Sequence, residues 1–495
     1  MAKKISTSEL TEKLLKYIKS MPDVSQAEAY ASKNKIAVSR IETLSYGKKK
    51  FLPSAQQFSI LTDAEASIRV VVEGAIGFFS TNYFTDDELK KGVEDAVRNA
   101  RIMKKDPDFR SLSKPVKWSA PTIPYDKKIH SGDVSNEIMD QVEASISILP
   151  KGIELAGSIM AVSEEFSIEN TNGISVKENI DTFCVAQLTA ERVDGSEVSS
   201  SGVGWDATRK IKSLNSAKAA MDAVELAKEK PVRKGVSEGK YNVIFGPYAV
   251  ADIVDNMIAP AFSLDSIYLG YSWVSTTMKK NTAGKELRYP TLESKISADK
   301  LTIKNDPTIP DGMASKSYDD EGLPTKVIPL VENGIWKNVI SNTYYSYLYE
   351  MPPSACGFRF GAIPGRIASC SPSVYGTNIV FEKGDMSFDE LVEISRKRKY
   401  PTLYVPRTWY TYPTRYGGPT FSSSNRSNSY LITKKGMVSI KPNSFKLTGN
   451  ILEILMGVYG IGKETKAATT WAASSATISP HIATRGIKVE KPIEK

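Results

Sequence analysis

The chain has 495 residues, too many for one hydrophobic core, so it predicts two or three domains. Hydrophobic residues at 41% and charged residues at 24% are ordinary for a folded protein, and the net charge of +9 is spread too thinly to demand an anionic partner. The three cysteines, Cys184, Cys356 and Cys370, form no CxxC pair, which argues against a disulfide scaffold or zinc ribbon and for a reducing compartment. There are only two histidines, His130 and His481, far apart in sequence, so a His-rich zinc site cannot be assembled from this chain alone. The N-terminus lacks the apolar stretch of a signal peptide, and no window approaches the roughly 18 apolar residues of a membrane helix. The cytoplasm is the expected location.

Ser6 to Ser20 predicts an amphipathic helix, with Ser6 as N-cap and Leu10, Leu14, Leu15 and Ile18 at helical spacing. Short strands follow at Ala27–Ala31, Lys35–Thr43 and Phe58–Leu61. Ser67–Ser80 reads as a hairpin broken at Glu73-Gly74. Thr85 and Glu88 form a capping box for a helix reaching about Lys104. The proline-spaced run Asp106–Tyr125 predicts a connecting arm. A helix at Val134–Leu149 precedes a β-meander over Ile153–Trp205, with turns at Asn172-Gly173 and Asp194-Gly195. An Ala-rich helix then runs from Asn215 to Lys230.

Arg233–Gly239 reads as a linker. Beyond it, short strands at Tyr241–Phe245, Lys326–Val331, Asn378–Phe381, Ser429–Thr433 and Ile482–Val489 alternate with helical patches at Tyr248–Ala259 and Ser387–Arg398. Pro329 confines the second of these strands to an edge. The expected class is α+β: an N-terminal domain over 1–232 with helices and an antiparallel meander, then a mostly β, closed or nearly closed barrel-like domain over 239–490.

Two stretches could carry chemistry. Asp319, Asp320 and Glu321 form an acidic turn before Gly322, which could hold a hard cation or be a solvated turn capping its own backbone. Arg396–Arg426 interleaves cations with aromatics and has no acidic residue, a composition suited to single-stranded nucleic acid or to a protein or peptide interface. Its candidate contact residues are Arg407, Trp409, Tyr410, Tyr412, Arg415 and Tyr416. The glycines Gly357, Gly361 and Gly365 lack phosphate-loop spacing. The cysteines have no histidine beside them in sequence to act as base, so buried small hydrophobes are the expectation.

The order of motifs resembles the TldD/PmbA family along almost the whole chain. The matching pieces are Arg69…Glu73-Gly-Ala-Ile-Gly-Phe78, Asn172-Gly173, Gly202–Gly204, Tyr241–Pro247, Leu264…Gly270-Tyr-Ser272, Asp306-Pro…Asp319-Asp-Glu-Gly322, Glu332-Asn-Gly334, Gly384-Asp385 and Gly449-Asn-Ile-Leu452. In the resemblance, TldD-type members are metalloproteases with HExxxH on the helix after the strand that Tyr241–Gly246 resembles, and a Cys motif near the C-terminus. This chain has Asp255 and Asn256 about where His and Glu would fall, and no cysteine after Cys370.

That departure is similar to the PmbA (TldE) type. It implies a non-catalytic, metal-free subunit, inactive alone, that pairs with a zinc-bearing TldD-like chain (or a second copy of itself) around a chamber for unfolded peptides. It implies no cofactor in this chain and no membrane partner. The acidic turn and the aromatic tract would then be scaffold and interface. Two other readings stay open: an independent hydrolase using a carboxylate-bound metal, and a nucleic-acid or protein interaction module built on Arg396–Arg426.

Overall fold

Period-two alternation in the first half of the chain sorts side chains onto two faces, and the resulting sheet buries both. The computed structural model describes residues 5–43, 45–46, 49–50, 53–194, 197–361, 364–469 and 475–492. Gly195 of the expected Asp194-Gly195 turn lies outside the described residues. Six strands, β1 (Val24–Glu42), β2 (Ser54–Val72), β3 (Ala75–Thr81), β4 (Glu154–Asn170), β5 (Ser175–Asp194) and β6 (Glu197–Thr208), form an antiparallel sheet in the order β3-β2-β1-β4-β5-β6. The β2–β3 turn is Glu73-Gly74, both at positive φ (+50° and +84°), as a tight hairpin turn requires.

On one face, Ala27, Ala29 and Ala31 of β1 with Ile68 and Val70 of β2 pack against α1 (Thr7–Ile18) and α2 (Asp86–Ile102). Further along, Ile159 and Ala161 of β4 and Cys184, Ala186, Leu188 and Ala190 of β5 meet α3 (Ser135–Ser147) and α4 (Ser216–Ala227). Helix α1 has a complete capping box between Ser6 and Glu9, whereas α2 has only the Thr85 half of the one expected there. A Cβ at Gly202 or Gly204 would overlap the carbonyl oxygens of Ala223 and Ala219. Glycine on β6 and alanine on α4 together therefore set how closely this helix lies on the sheet.

The alternate residues point the other way. Glu28, Tyr30, Ser32, Asn34 and Ile36 of β1, Glu164, Phe166 and Ile168 of β4, and Asp181 and Phe183 of β5 are all buried, yet no helix covers this face. The C-terminal half of the chain does. Ser32 Oγ and Asn34 Nδ2 donate to the Arg366 carbonyl (3.1 and 2.8 Å), and the Arg366 N–H donates to Asn34 Oδ1 at 2.9 Å. This explains why one strand runs through 32–34, where the sequence predicts two short strands. Polar residues that look like a break are satisfied from a segment more than 300 positions away.

The second sheet opens with β7 (Gly239–Phe245) and continues through β8 (Ile303–Asn305), β9 (Ile328–Glu332), β10 (Ile335–Trp336), β11 (Asn378–Phe381), β12 (Thr402–Val405), β13 (Thr408–Pro413), β14 (Thr420–Asn425), β15 (Ser429–Thr433), β16 (Gly436–Ile440), β17 (Lys446–Asn450), β18 (Gly460–Ala468) and β19 (Ala476–Glu490). Its main path is β10-β9-β8-β11-β19-β7-β12-β15-β16, with β17 and β18 branching from β19 and β17 leading on to β14 and then β13. Among the described residues the two ends of that path are not paired to each other, so the sheet is open and branched and no barrel closes. Strand β10 covers only Val331 and Glu332 of β9, which leaves Pro329 flanked on one side. The core of this half gathers Phe245, Phe262, Trp336, Phe358, Phe381 and Leu403.

Candidate functional site

The acidic turn is buried, against the expectation of a solvated one. Asp319, Asp320 and Glu321 are 0%, 0% and 3% exposed. Gly322, at φ +77°, closes the turn, and the Gly322 N–H donates to the Asp319 carbonyl. Asp319 Oδ1 accepts from the N–H groups of Glu321 and Leu323 (3.1 and 2.9 Å), and its Oδ2 accepts from Gly357 N–H at 3.1 Å. Glu321 Oε2 accepts from Thr343 N–H at 2.6 Å. Burial and the adjacent Glu321 push the Asp319 carboxyl well above the ordinary carboxylate range, and burial raises Glu321 as well.

Asp320 belongs to a larger constellation between the two halves of the chain. It accepts from Tyr30 O–H at 2.9 Å and Arg359 N–H at 2.7 Å, and it pairs with the Arg366 guanidinium. Arg366 also meets Asp181 at 2.8 Å and Glu164 at 3.5 Å, with its guanidinium 4.2 Å from the Phe166 ring centroid. Lys316 reaches Glu164 at 2.6 Å, Arg209 reaches Asp181 at 3.2 Å, and Arg359 reaches Glu28 at 2.8 Å. Burial opposes ionisation of Asp181, but Lys316, Arg366 and Arg209 outweigh it and hold its carboxyl low. Each charge of this constellation is matched by opposite charge and hydrogen bonds, the condition under which such groups persist. Asp319 and Asp320 thus spend both their oxygens on backbone or side-chain donors.

The helix after β7 is α5 (Pro247–Ile253), which continues as a π-helical turn, Val254–Ile258. Asn256 turns back on itself, its Nδ2 donating to the Asp252 carbonyl at 2.8 Å and to Asp252 Oδ1 at 3.2 Å. Asp252 Oδ2 accepts from Thr408 at 2.8 Å and from Thr411, which staples the helix to β13. Burial raises Asp252, against those two hydroxyls. Asp255 faces elsewhere, into a cavity of about 540 Å³ shared with Asp265, Tyr375 and Gly376. Asp255 and Asn256, which stand about where His and Glu fall in the resemblance, thus meet different neighbours. His130 lies in the first half, its Nδ1 3.0 Å from Ser163 Oγ, and His481 Nε2 lies 3.4 Å from the Tyr404 hydroxyl. Neither histidine lines either cavity that adjoins α5 and its π turn.

The Arg396–Arg426 tract divides. Tyr410, Tyr412 and Tyr416 are exposed (65%, 51% and 81%), and Tyr416 meets Tyr271 with centroids 5.4 Å apart. Arg415 precedes Tyr416 in the loop between β13 and β14. Arg407, by contrast, is buried, with its guanidinium 4.6 Å from the Trp409 ring centroid; Arg398 packs on Tyr459 and Arg426 on Glu191. The cations thus do not form one exposed strip, the arrangement a single-stranded nucleic acid would track. Cys184 and Cys356 are buried thiols, and burial pushes Cys356 up to about 12.

Sequence reasoning missed Asp252, Trp205 and Gln187. With Arg407 and Trp409 they line the space between the first sheet and β13. Asp252 carried a signal, since it is a lone carboxylate in the apolar run Tyr248–Val254. Trp205 and Gln187 carried none beyond their place in alternating strands.

The profile of the PmbA/TldA metallopeptidase C-terminal domain matches residues 238–491, and that of PmbA/TldA metallopeptidase domain 1 matches residues 57–100. A protein of Methanocaldococcus jannaschii named a metalloprotease is 24% identical over 428 residues, 84% of this chain and 86% of that one. A metalloprotease of Methanothermobacter thermautotrophicus is 28% identical over 262 residues, 52% of this chain and 50% of that protein. TldE from Thermococcus kodakarensis has the same fold, with a TM-score of 0.78 at 19% identity over 97% of this chain and 99% of that one.

Proposed function

Because the chain belongs to the PmbA/TldD metallopeptidase family, we propose that it is a TldE-like, non-catalytic subunit of a cytoplasmic complex that cleaves unfolded peptides. Its partner would be a TldD-like chain that carries the metal. The observation that carries this reading is the donor set on the helix after β7. A hydrolytic zinc site of the HExxxH kind needs imidazoles on one helical face and a carboxylate base beside them. Here the helix offers Asp255 and the carboxamide of Asn256, which is engaged by Asp252. These residues do not fit a zinc ion, and no hydrolytic step is assigned to this chain.

The remaining features suit a supporting role. The exposed aromatics Tyr410, Tyr412 and Tyr416 beside Arg415 have the composition of a protein interface. The unpaired thiols suit a reducing cytoplasm, and no helix among the described residues is long and apolar enough to cross a membrane. The test is metal analysis of the purified chain together with hydrolysis of a casein-derived peptide, with and without a TldD-like partner carrying HExxxH. The expected result is no bound zinc and no cleavage alone, with cleavage when the partner is added. Stoichiometric zinc with activity in the isolated chain would overturn the reading.

A further inference from the structure

Arg407 is a buried cation without a matching anion. It is 8% exposed, and its one side-chain hydrogen bond among the described residues is a long contact of 3.5 Å from Nη1 to Thr189 Oγ1. Among the described residues no carboxylate comes within 4.0 Å of it. The two acids nearest in the chain's electrostatics are engaged: Asp252 by Thr408, Thr411 and Asn256, and Glu191 by Arg426 and Ser201. Of the residues outside the description only Glu494 is acidic, and the two such stretches that adjoin the cleft in sequence, 362–363 and 470–474, hold none. Burial first, and the neighbouring Arg426 second, push the Arg407 guanidinium down to about 10. A buried charge left in this state is costly unless an anion arrives.

The guanidinium borders open space. A narrow pocket walled by Trp205, Tyr248, Arg407 and Trp409 joins, through Gln187, Trp205, Trp409 and Thr469, a cavity of about 290 Å³. The lining of that cavity is mostly apolar: Met160, Phe183, Val185 and Met313. Trp205 lines both spaces, and its indole Nε1–H is a buried donor with no partner among the described residues. A planar guanidinium and an indole N–H at the mouth of an apolar cavity make a donor-only head and a hydrophobic body.

We propose that this cleft holds a carboxylate of an extended peptide, with Arg407 and Trp205 Nε1–H as its donors and the apolar cavity receiving the neighbouring side chain. The carboxylate comes either from a free peptide C-terminus or from an Asp or Glu side chain. This rests on the peptide-handling role proposed above, and it names the chemical group that role would recognise.

The test uses the full chain and three fluorescein-labelled decapeptides of otherwise identical Ala/Ser/Leu sequence. One has a free C-terminus, one is amidated, and one is amidated with a central Glu; binding is read by fluorescence anisotropy. A carboxylate-bearing peptide is expected to bind about 10- to 100-fold more tightly than the neutral amide, the range for a hydrogen bond to a charged group. Whichever acid peptide shows the gain identifies the source. In Arg407→Met the gain disappears, and in Trp205→Phe, which keeps the apolar ring and loses only the N–H, it shrinks. If Arg407→Met does not fold, the comparison of acid and amide on the unaltered chain decides alone, with Trp205→Phe as its check. Equal affinity for all three peptides would overturn the proposal while leaving the peptide-handling role intact. Binding of none, alone or with the partner chain, would overturn both. Displacement of the bound acid peptide by single-stranded oligothymidylate would show a phosphate-binding cleft and overturn the proposal.

Discussion

Arg366→Met tests whether the buried charge constellation holds the two halves of the chain together. Arg366 is fully buried and faces three carboxylates, Asp320, Asp181 and Glu164. Removing one partner from a buried pair typically costs about 3–5 kcal/mol, because the partner's charge stays behind in a poorly polarisable setting. Two of the three acids keep another cation, Glu164 with Lys316 and Asp181 with Arg209. The group most exposed to the loss is Asp320, left with the Tyr30 hydroxyl and the Arg359 N–H. The expected cost is therefore about 3–4 kcal/mol, a third or more of a typical folding stability. Urea unfolding would be followed by tryptophan fluorescence and far-UV circular dichroism on four proteins: the unaltered chain, Arg366→Met, Asp181→Asn, whose carboxylate meets Arg366 across the two halves, and the double variant. The double variant should recover about 1–3 kcal/mol relative to the sum of the singles. A single-variant cost below about 1 kcal/mol, or additive singles, would show that the constellation does not couple the halves and would refute the reasoning.

Three further outcomes follow from the geometry. Burial, with Lys466 nearby, holds His481 down to about 4 from the ordinary 6.5, so its contribution to stability is present above pH 6.5 and lost as pH falls through 4. The loss should reach about 3 kcal/mol, and His481→Phe should flatten that part of the stability–pH curve; an unchanged slope would assign it to other groups. Gly204→Ala places a methyl on the Ala219 carbonyl oxygen and should lower stability by about 2–3 kcal/mol, through overpacking that pushes α4 off β6. A thermal midpoint within a degree of the unaltered chain would contradict this. Iodoacetamide at pH 8 should label the half-buried Cys370 first and leave Cys356 unmodified until urea unfolds the chain, as read by mass spectrometry of tryptic peptides.

Local patterns in the sequence located most elements of the first half and five of the thirteen strands of the second sheet. The Ser6 and Ser387 caps, the Glu73-Gly74 turn and the Ala-rich face of α4 each declare themselves within a dozen residues, because helix caps and tight turns are local physics. What the sequence could not show is what covers a face. Nothing beside Glu28, Glu164 and Asp181 in the sequence marks them as buried, and the groups that bury them include Lys316, Arg359 and Arg366 from the other half of the chain. The acidic turn failed to read as buried for the same reason. In the aromatic tract the composition was legible but the division was not: Arg407 turns inward to Trp205 while Tyr410 and Tyr416 stay out, a difference of orientation that residue types do not encode. The mostly β character of the second half was legible, but whether its sheet closes was not, because strand count and turn spacing do not specify whether the last strand returns to the first.

The charge constellation also sets a timetable for synthesis. Glu28 meets Arg359 across 331 positions, and Asn34 meets Arg366 across 332. A ribosome adding about 5–20 residues per second therefore completes the first sheet's strands, which end at Thr208, about 5–30 seconds before Lys316, Arg359 and Arg366 exist. During that interval Glu28 already has Arg69 and Asp181 has Arg209, but Glu164 waits for Lys316 and Arg366, so this face keeps a carboxylate that only water can satisfy. The helix-covered face has its partners in hand and can pack at once. The chain is thus built to fold one side of its first sheet early, and to leave the other side wet until the C-terminal half emerges to dry it.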